Sequence, residues 1–263
     1  MNVYPYLEAV REKRPLVHHL TNWVTIYDCA QIVKSFGASP VMAHAAEEAG
    51  DMTSLASALV LNIGTLTSDF VESMKIAARA ANKKRIPVVL DVCGAGATSY
   101  RDKKSLEIID AARIDIIKGN SSEIARIAGE DVKTRGVDAT EVEADLREIA
   151  SSLAKKRDCI VVITGKVDFV VDADSVYIVQ NGDEMMSHVV GTCCMATSVI
   201  GTFVGASPGS PIEAAAAGLS CFEIAAELAV KKCGGPASFK ERLFDSVFSL
   251  KKEEVVSMQK VLP

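Results

Sequence analysis

Aromatic residues are scarce. Phe, Tyr and Trp make up 5% of the 263 residues, with one Trp, so Ala, Val and Ile must build the core. Basic charge is not in excess: 29 Lys and Arg stand against 34 Asp and Glu, a net charge of −5. That balance excludes a nucleic-acid binder held by a basic footprint. It also means that an anionic ligand has to be met locally, by helix N-termini, a few placed cations or a metal. Long apolar runs are missing too. The stretch 194–206 is interrupted by Thr197, Gly201 and Thr202, short of the ~20 apolar residues that a membrane span needs. The next apolar stretch carries Glu213, Glu223 and Glu227. The opening MNVYPYLEAVREKRP has no basic head followed by an apolar run, so no export signal is expected.

Cysteine pairs with ligand spacing are absent as well. The seven cysteines (Cys29, Cys93, Cys159, Cys193, Cys194, Cys221, Cys233) include no CxxC, and His18, His19, His44 and His188 show no ligand spacing beside them. A zinc site is not expected, and reduced thiols in the cytoplasm are. No Walker GxxxxGK[ST] loop occurs. With 49% hydrophobic and 24% charged residues the chain is too apolar for disorder. No Pro- or Ser-rich linker, low-complexity tract or repeat divides it, so residues 1–263 are expected to form one domain.

What is present is an alternation. β-branched runs at 58–63, 87–91, 114–118 and 160–164 predict buried strands. Between them, 67–84 places Phe70, Met74, Ala77, Ala78 and Ala81 at helical spacing, and 141–156 places Val142, Leu146, Ile149 and Leu153 on one stripe. Such alternation predicts an α/β fold, three layers with a mostly parallel central sheet. Segments 168–172 and 175–180 predict an appended hairpin. From Cys194 onward the pattern is helical, broken at Ser207-Pro208-Gly209 and Gly234-Gly235-Pro236.

Ligands of open parallel sheets sit beyond the carboxyl ends of the strands. Here those ends read Asp91 followed by Cys93-Gly94-Ala95-Gly96-Ala97-Thr98, then Lys118-Gly119-Asn120-Ser121-Ser122-Glu123, then Thr164-Gly165-Lys166. An isolated Asp91 would be a cap, and Glu123 fits the third position of a capping box behind Asn120 or Ser121. As a pair at neighbouring strand ends, the two carboxylates can instead hold Mg²⁺ directly or through water. The Gly94–Gly96 loop falls short of the dinucleotide fingerprint, because the next strand ends in Lys118 rather than an acid. Lys118 itself, at a strand end, suits a nucleotide phosphate.

Gly191-Thr192-Cys193-Cys194-Met195 heads an apolar helix whose free N–H groups would face an anion. A cysteine there would have its thiol pKa lowered from ~8.5. Cys193 is read as packing; Cys194 stays open between packing and chemistry. Met42 reads as core, His188 as a surface histidine, and His18 and His19 as one inward and one outward on a strand.

Taken together, these segments resemble the hydroxyethylthiazole kinase family, of the ribokinase-like superfamily. The likeness rests on Val17-His18-His19-Leu20-Thr21-Asn22, Gly37-Ala38-Ser39-Pro40-Val41-Met42-Ala43, Leu61-Asn62-Ile63-Gly64-Thr65-Leu66, the Gly94-to-Thr98 loop, Gly119-Asn120-x-x-Glu123 and Thr164-Gly165-x-x-Asp168. It implies a ribokinase-like fold and transfer of phosphate from ATP to the hydroxyethyl group of a methylthiazole. It implies Asp91 and Glu123 toward Mg²⁺, and Lys118 and Thr164 toward ATP. It implies Asn22, Met42, Gly64 and Gly191 around the thiazole, and Cys194 beside the hydroxyl. It also implies a cytoplasmic homotrimer with sites at subunit boundaries, and no nucleic-acid or membrane partner. Two motifs depart from the family pattern: Gly191-Thr192-Cys193-Cys194 where Gly-x-Gly-Cys is usual, and Asp91-Val92-Cys93-Gly94 where Asp-Pro-Val-Gly is usual. Lys118 stands where Arg is more frequent. The alternatives are a related kinase of another small alcohol, such as a hydroxymethylpyrimidine, and a binding protein whose catalysis Cys193 impairs.

Overall fold

The computed structural model describes residues 1–130 and 139–263, with the side chains of 139–145 left aside. The first half runs α1 (Tyr4–Lys13), β1 (Leu16–Leu20), α2 (Ile26–Ser35), β2 (Ser39–Val41), α3 (Ala46–Leu55), β3 (Ala58–Asn62), α4 (Ser68–Lys84), β4 (Val88–Asp91), α5 (Ser99–Ala111), β5 (Ile116–Asn120) and α6 (Ser121–Ala128). The second runs α7 (Ala139–Arg157), β6 (Ile160–Thr164), β7 (Asp168–Val171), β8 (Val176–Val179), a 3-10 turn (Glu184–His188), α8 (Thr192–Ala206), α9 (Pro211–Val230), α10 (Pro236–Ser249), α11 (Lys252–Met258) and β9 (Val261–Leu262).

One nine-stranded sheet joins them in the order β2-β1-β3-β4-β5-β6-β7-β8-β9. Pairing is parallel from β2 to β6 and antiparallel through β7, β8 and β9. The mostly parallel α/β fold and the appended hairpin are as the sequence predicts. Thr67 caps α4 by accepting the Phe70 N–H, and Phe70, Met74, Ala77, Ala78 and Ala81 are all buried. Leu146, Ile149 and Leu153 of α7 are buried as well, whereas the side chain of Val142 lies outside the described residues.

Helices cover both faces. Val17, Val60, Val89, Ile116 and Val162 point to one face, under α1, α2, α8, α9 and α10; Leu59, Leu61, Leu90, Ile117 and Val161 point to the other, under α4 to α7. This double cover corrects the expectation that one of His18 and His19 would face outward. Both are fully buried, because alternate residues of a covered parallel strand all enter a core. His18 bonds Thr53 Oγ1 and Ala43 O, each at 2.8 Å. His19 has one partner, Val17 O at 3.0 Å, and burial drives its pKa down to about 3. The strand predicted at 114–118 begins later, at Ile116, and runs to Asn120. Asp115 instead turns its side chain to accept the Val88 N–H at 2.9 Å. Helix α8 is apolar all round because it lies between the sheet and a further helical layer. Its seat on β3 is close: a Cβ on Gly201 would stand 2.3 Å from Val60 Cγ2.

Candidate active site

Parallel register sets a polar row along the carboxyl rim. Asn62 pairs with Asp91, and Asp91 with Lys118, so three neighbouring strands carry these residues side by side. Val60, Val89 and Ile116, two residues earlier on each strand, pack on the α8 face. Asn62, Asp91 and Lys118 therefore share that face and meet the start of α8.

Asp91 is fully buried, and its Oδ2 accepts from Thr197 Oγ1 at 2.6 Å, Asn62 Nδ2 at 2.9 Å and Lys118 Nζ at 3.4 Å. Its Oδ1 has no donor. Lys118 is likewise fully buried, and it donates to Cys193 O at 3.1 Å and to Cys193 Sγ. Burial by itself would lower the Lys118 pKa, but Asp91 and Cys193 outweigh it and hold the ammonium well above its ordinary range.

Asn22, just past β1, donates Nδ2 to Asn62 Oδ1 at 3.0 Å and to Cys194 Sγ at 3.3 Å. Asn62 Nδ2 reaches the same sulfur at 3.4 Å. The Cys194 thiol titrates at about 6: the Cys93 thiol beside it is the largest cause, with Thr25 and Lys118 acting in the same direction. Burial and Asp91 oppose them. The sequence attributed this lowering to the helix start; the structure adds specific donors. Gly191, at φ +97°, begins α8, and a Cβ there would come within 2.7 Å of Thr25 Cγ2. The first intrahelical bond of α8 runs from Met195 N to Gly191 O at 2.7 Å, so the N–H groups of Thr192, Cys193 and Cys194 precede it. Gly64 N donates to Asn62 Oδ1 at 2.9 Å, and a Cβ on Gly64 would press on Asn22 Cβ at 3.1 Å.

On the other side of the rim, Glu123 is fully engaged by backbone. Oε1 accepts Gly94 N at 2.7 Å, Oε2 accepts Asn120 N at 2.8 Å, and Asn120 closes the capping box. The cap anticipated from the sequence exists, and it also ties the Gly94 loop to α6. Thr164 Oγ1 lies 3.5 Å from Gly119 O and 3.9 Å from Cys193 Sγ. Met42, half-buried just after β2, shares no hydrogen bond with this row. A cleft of about 500 Å³ opens over Gly94, Gly96, Asn120, Glu123 and Arg126. A larger cleft of about 670 Å³ lies at the opposite, amino ends of β4 to β6, against Pro87, Asp115 and Ile160. The carboxyl rim is the place where open parallel sheets take ligands, and it alone carries the polar row.

The profile of the Hydroxyethylthiazole kinase family matches residues 7–253. The chain belongs to that family. It is 53% identical over 255 residues to a hydroxyethylthiazole kinase of Methanosarcina mazei, covering 97% of each chain. It is 45% identical over 260 residues to one of Thermoanaerobacter pseudethanolicus, again covering 97% of each. A solved hydroxyethylthiazole kinase structure from Pyrococcus horikoshii superposes with a TM-score of 0.91 at 38% identity, over 99% of this chain and 98% of that one. A Bacillus subtilis pyridoxal kinase bound to ADP shares the fold at a TM-score of 0.61 and 16% identity, over 81% of this chain and 91% of that one.

Within this chain two residues that the sequence analysis set apart from the usual family motifs touch each other: Cys193 supplies both an oxygen and a sulfur to Lys118. Sequence reasoning assigned no role to Asn62, Thr197, Thr25 or Arg101. Arg101 donates to Ile63 O, Cys93 O and Gly64 O at 2.8 to 3.1 Å and thereby binds the Gly94 and Gly64 loops together. Asn62 could have been found as an amide closing a buried strand. Thr197 lies one helical turn after Cys193, on the same face. Nothing in sequence marks Arg101, whose partners are all backbone.

Proposed function

We propose that this chain phosphorylates the hydroxyl of 4-methyl-5-(2-hydroxyethyl)thiazole with ATP, giving the thiazole phosphate and ADP in thiamine salvage. The observation that carries this is the unbroken line of contacts from Asn22 through Cys194, Asn62 and Asp91 to Lys118 and Cys193, laid across the α8 N-terminus. Asn22, Met42, Gly64 and Gly191 line the alcohol's pocket. Cys194, at a pKa of about 6, is an anion at neutral pH and accepts the hydroxyl proton as the oxygen–phosphorus bond forms. The bond from the γ-phosphorus to ADP breaks in the same displacement. The free N–H groups of Thr192, Cys193 and Cys194 face the charge spread on the transferring phosphoryl group. A loose transition state gains mainly from alignment and charge stabilisation, so a strong base is unnecessary.

Asp91 fits a divalent cation. Its buried Oδ1 lacks any donor, and three donors already steady Oδ2. Glu123, with both oxygens taken by N–H groups, would act through water. Mg²⁺ bound there would offset charge on the phosphates. Lys118 and Thr164, which meet at Cys193 by the start of α8, would contact the phosphates of ATP, and the cleft over Gly94 and Gly96 would take the rest of the nucleotide. The working unit is a homotrimer: Trp23, Val24, Tyr27 and Val190 stand 55 to 72% exposed next to Asn22 and Gly191, an apolar margin that a second copy would cover. Among the described residues no helix is long and apolar enough to cross a membrane. A coupled ADP-release assay tests the reading. Release that requires the thiazole alcohol and Mg²⁺ is expected, and release indifferent to the alcohol would overturn it.

A further inference from the structure

Behind the rim lies a second pair of carboxyls. Asp168 opens β7 and Glu223 sits midway along α9; they are 4% and 7% exposed and touch one another. Their surroundings differ. Asp168 Oδ1 accepts the Gly165 N–H at 2.9 Å, and the Lys118 ammonium lies within its field. Glu223 has no such support: its Oε2 is buried without a donor. Gly182 packs against it, such that a Cβ there would stand 3.7 Å from its Cδ. The next charge on its own helix, Glu227, is also negative. Glu227 Oε1 accepts from Asn181 Nδ2 and Gly182 N, each at 3.0 Å, and from Lys260 Nζ at 3.4 Å.

Two buried carboxyls in contact cannot both ionise. The proton goes to the member without donors. We propose that Glu223 is a neutral carboxylic acid at physiological pH that donates its proton to Asp168, and that Asp168, so fixed, positions the Thr164–Gly165 turn for the nucleotide. The role given to that turn rests on the kinase reading; the shared proton does not. Burial first, and then Asp168, push the Glu223 pKa well up. Asp168 is raised by burial, against which the Glu223 and Gly165 hydrogen bonds favour its anion. Glu223 touches no reacting group and is a positioning residue.

Infrared difference spectra and steady-state kinetics test this on the full-length chain. A buried carboxylic-acid carbonyl band is expected at pH 7 in the wild type and lost in Glu223→Gln; a wild type without that band overturns the proposal. Glu223→Gln keeps a donor toward Asp168, so its KM for ATP should stay within about twofold of wild type, whereas Glu223→Ala should raise it about tenfold with kcat little changed. An unchanged KM in a folded Glu223→Ala protein, or equal damage by Gln and Ala, overturns the positioning role. The wild-type KM for ATP should climb at alkaline pH and that of Glu223→Gln should not. Between the unfolded Glu value of ~4.3 and its higher native value, the native wild type holds a proton that the unfolded chain has lost. Its stability therefore falls as pH rises, and the Tm advantage of Glu223→Gln should widen toward pH 8; a constant difference counts against the shared proton. A monovalent-cation requirement that Glu223→Gln abolishes would put a cation, not a proton, between the carboxyls and overturn the proposal. Should wild type release no ADP while the band persists, the kinase reading fails and the shared proton stands.

Discussion

On the β1–β3–β4 side of the rim, side chains bind side chains: Asn22, Asn62, Asp91, Thr197 and Cys194 are all buried, and each is bonded within the group. On the β5–α6 side, side chains bind backbone. Glu123 holds Gly94 N and Asn120 N, Asp102 holds Gly96 N at 2.6 Å, and Arg101 holds three carbonyls, beside an open cleft of about 500 Å³. The first side is a fixed polar cluster with its hydrogen bonds already aligned, which suits the proposed small, rigid alcohol. The second is a braced loop that offers backbone to a larger ligand. The difference separates chemistry from grip. Substitutions on the first side should strike kcat or thiazole binding, and those on the second should strike ATP affinity and stability.

Asp91→Asn is the hardest blow to the pocket side. It removes the charge while keeping a polar partner for Lys118, and kcat should fall about 10²- to 10³-fold by ADP release, with the fold retained by circular dichroism. A kcat within a few-fold of wild type would dissolve the contrast. Cys194→Ala should lower kcat ~10- to 100-fold. The wild-type kcat should also rise as pH climbs through about 6, where the thiol loses its proton, and that limb should vanish in the variant. Gly191→Ala meets both a left-handed backbone at φ +97° and the Thr25 methyl. About 1 to 2 kcal/mol of strain is expected, read as a lowered Tm with a raised KM for the thiazole. Across the rim, Glu123→Gln should cost about 1 kcal/mol by losing the charged cap and should raise the KM for ATP a few-fold, with kcat less affected. Smallest is Cys193→Gly, which frees Lys118 from the sulfur. A roughly two- to fivefold gain in kcat is expected from a Lys118 ammonium freed for the phosphates, and a lower rate would show that Cys193 supports the site.

The framework was legible because strand runs such as 160–164 and the helix at 67–84 announce themselves by period and cap, and the structure returns β6 at Ile160–Thr164 and α4 at Ser68–Lys84. The short edge strands β2 and β9, of three and two residues, carry too little pattern to read. The individual carboxylates and the Cys194 segment could be named from strand ends and a helix start. Their mutual arrangement could not, since it depends on register: the alignment of Asn62, Asp91 and Lys118 across three strands exists only once the sheet is assembled. Contacts such as Arg101 to carbonyl oxygens leave no trace in side-chain identity.

Gly201 lies ten positions along the same rod as Gly191, ~15 Å down its axis, flush against Val60. A single methyl group at that underside would have to displace either Val60 or the rod, and a displaced rod would shift its far tip, the proposed meeting place of thiazole and phosphate. Turnover is therefore open to tuning by variation in residues that no ligand ever approaches, and a survey confined to the pocket lining would miss the place where such tuning is cheapest to make.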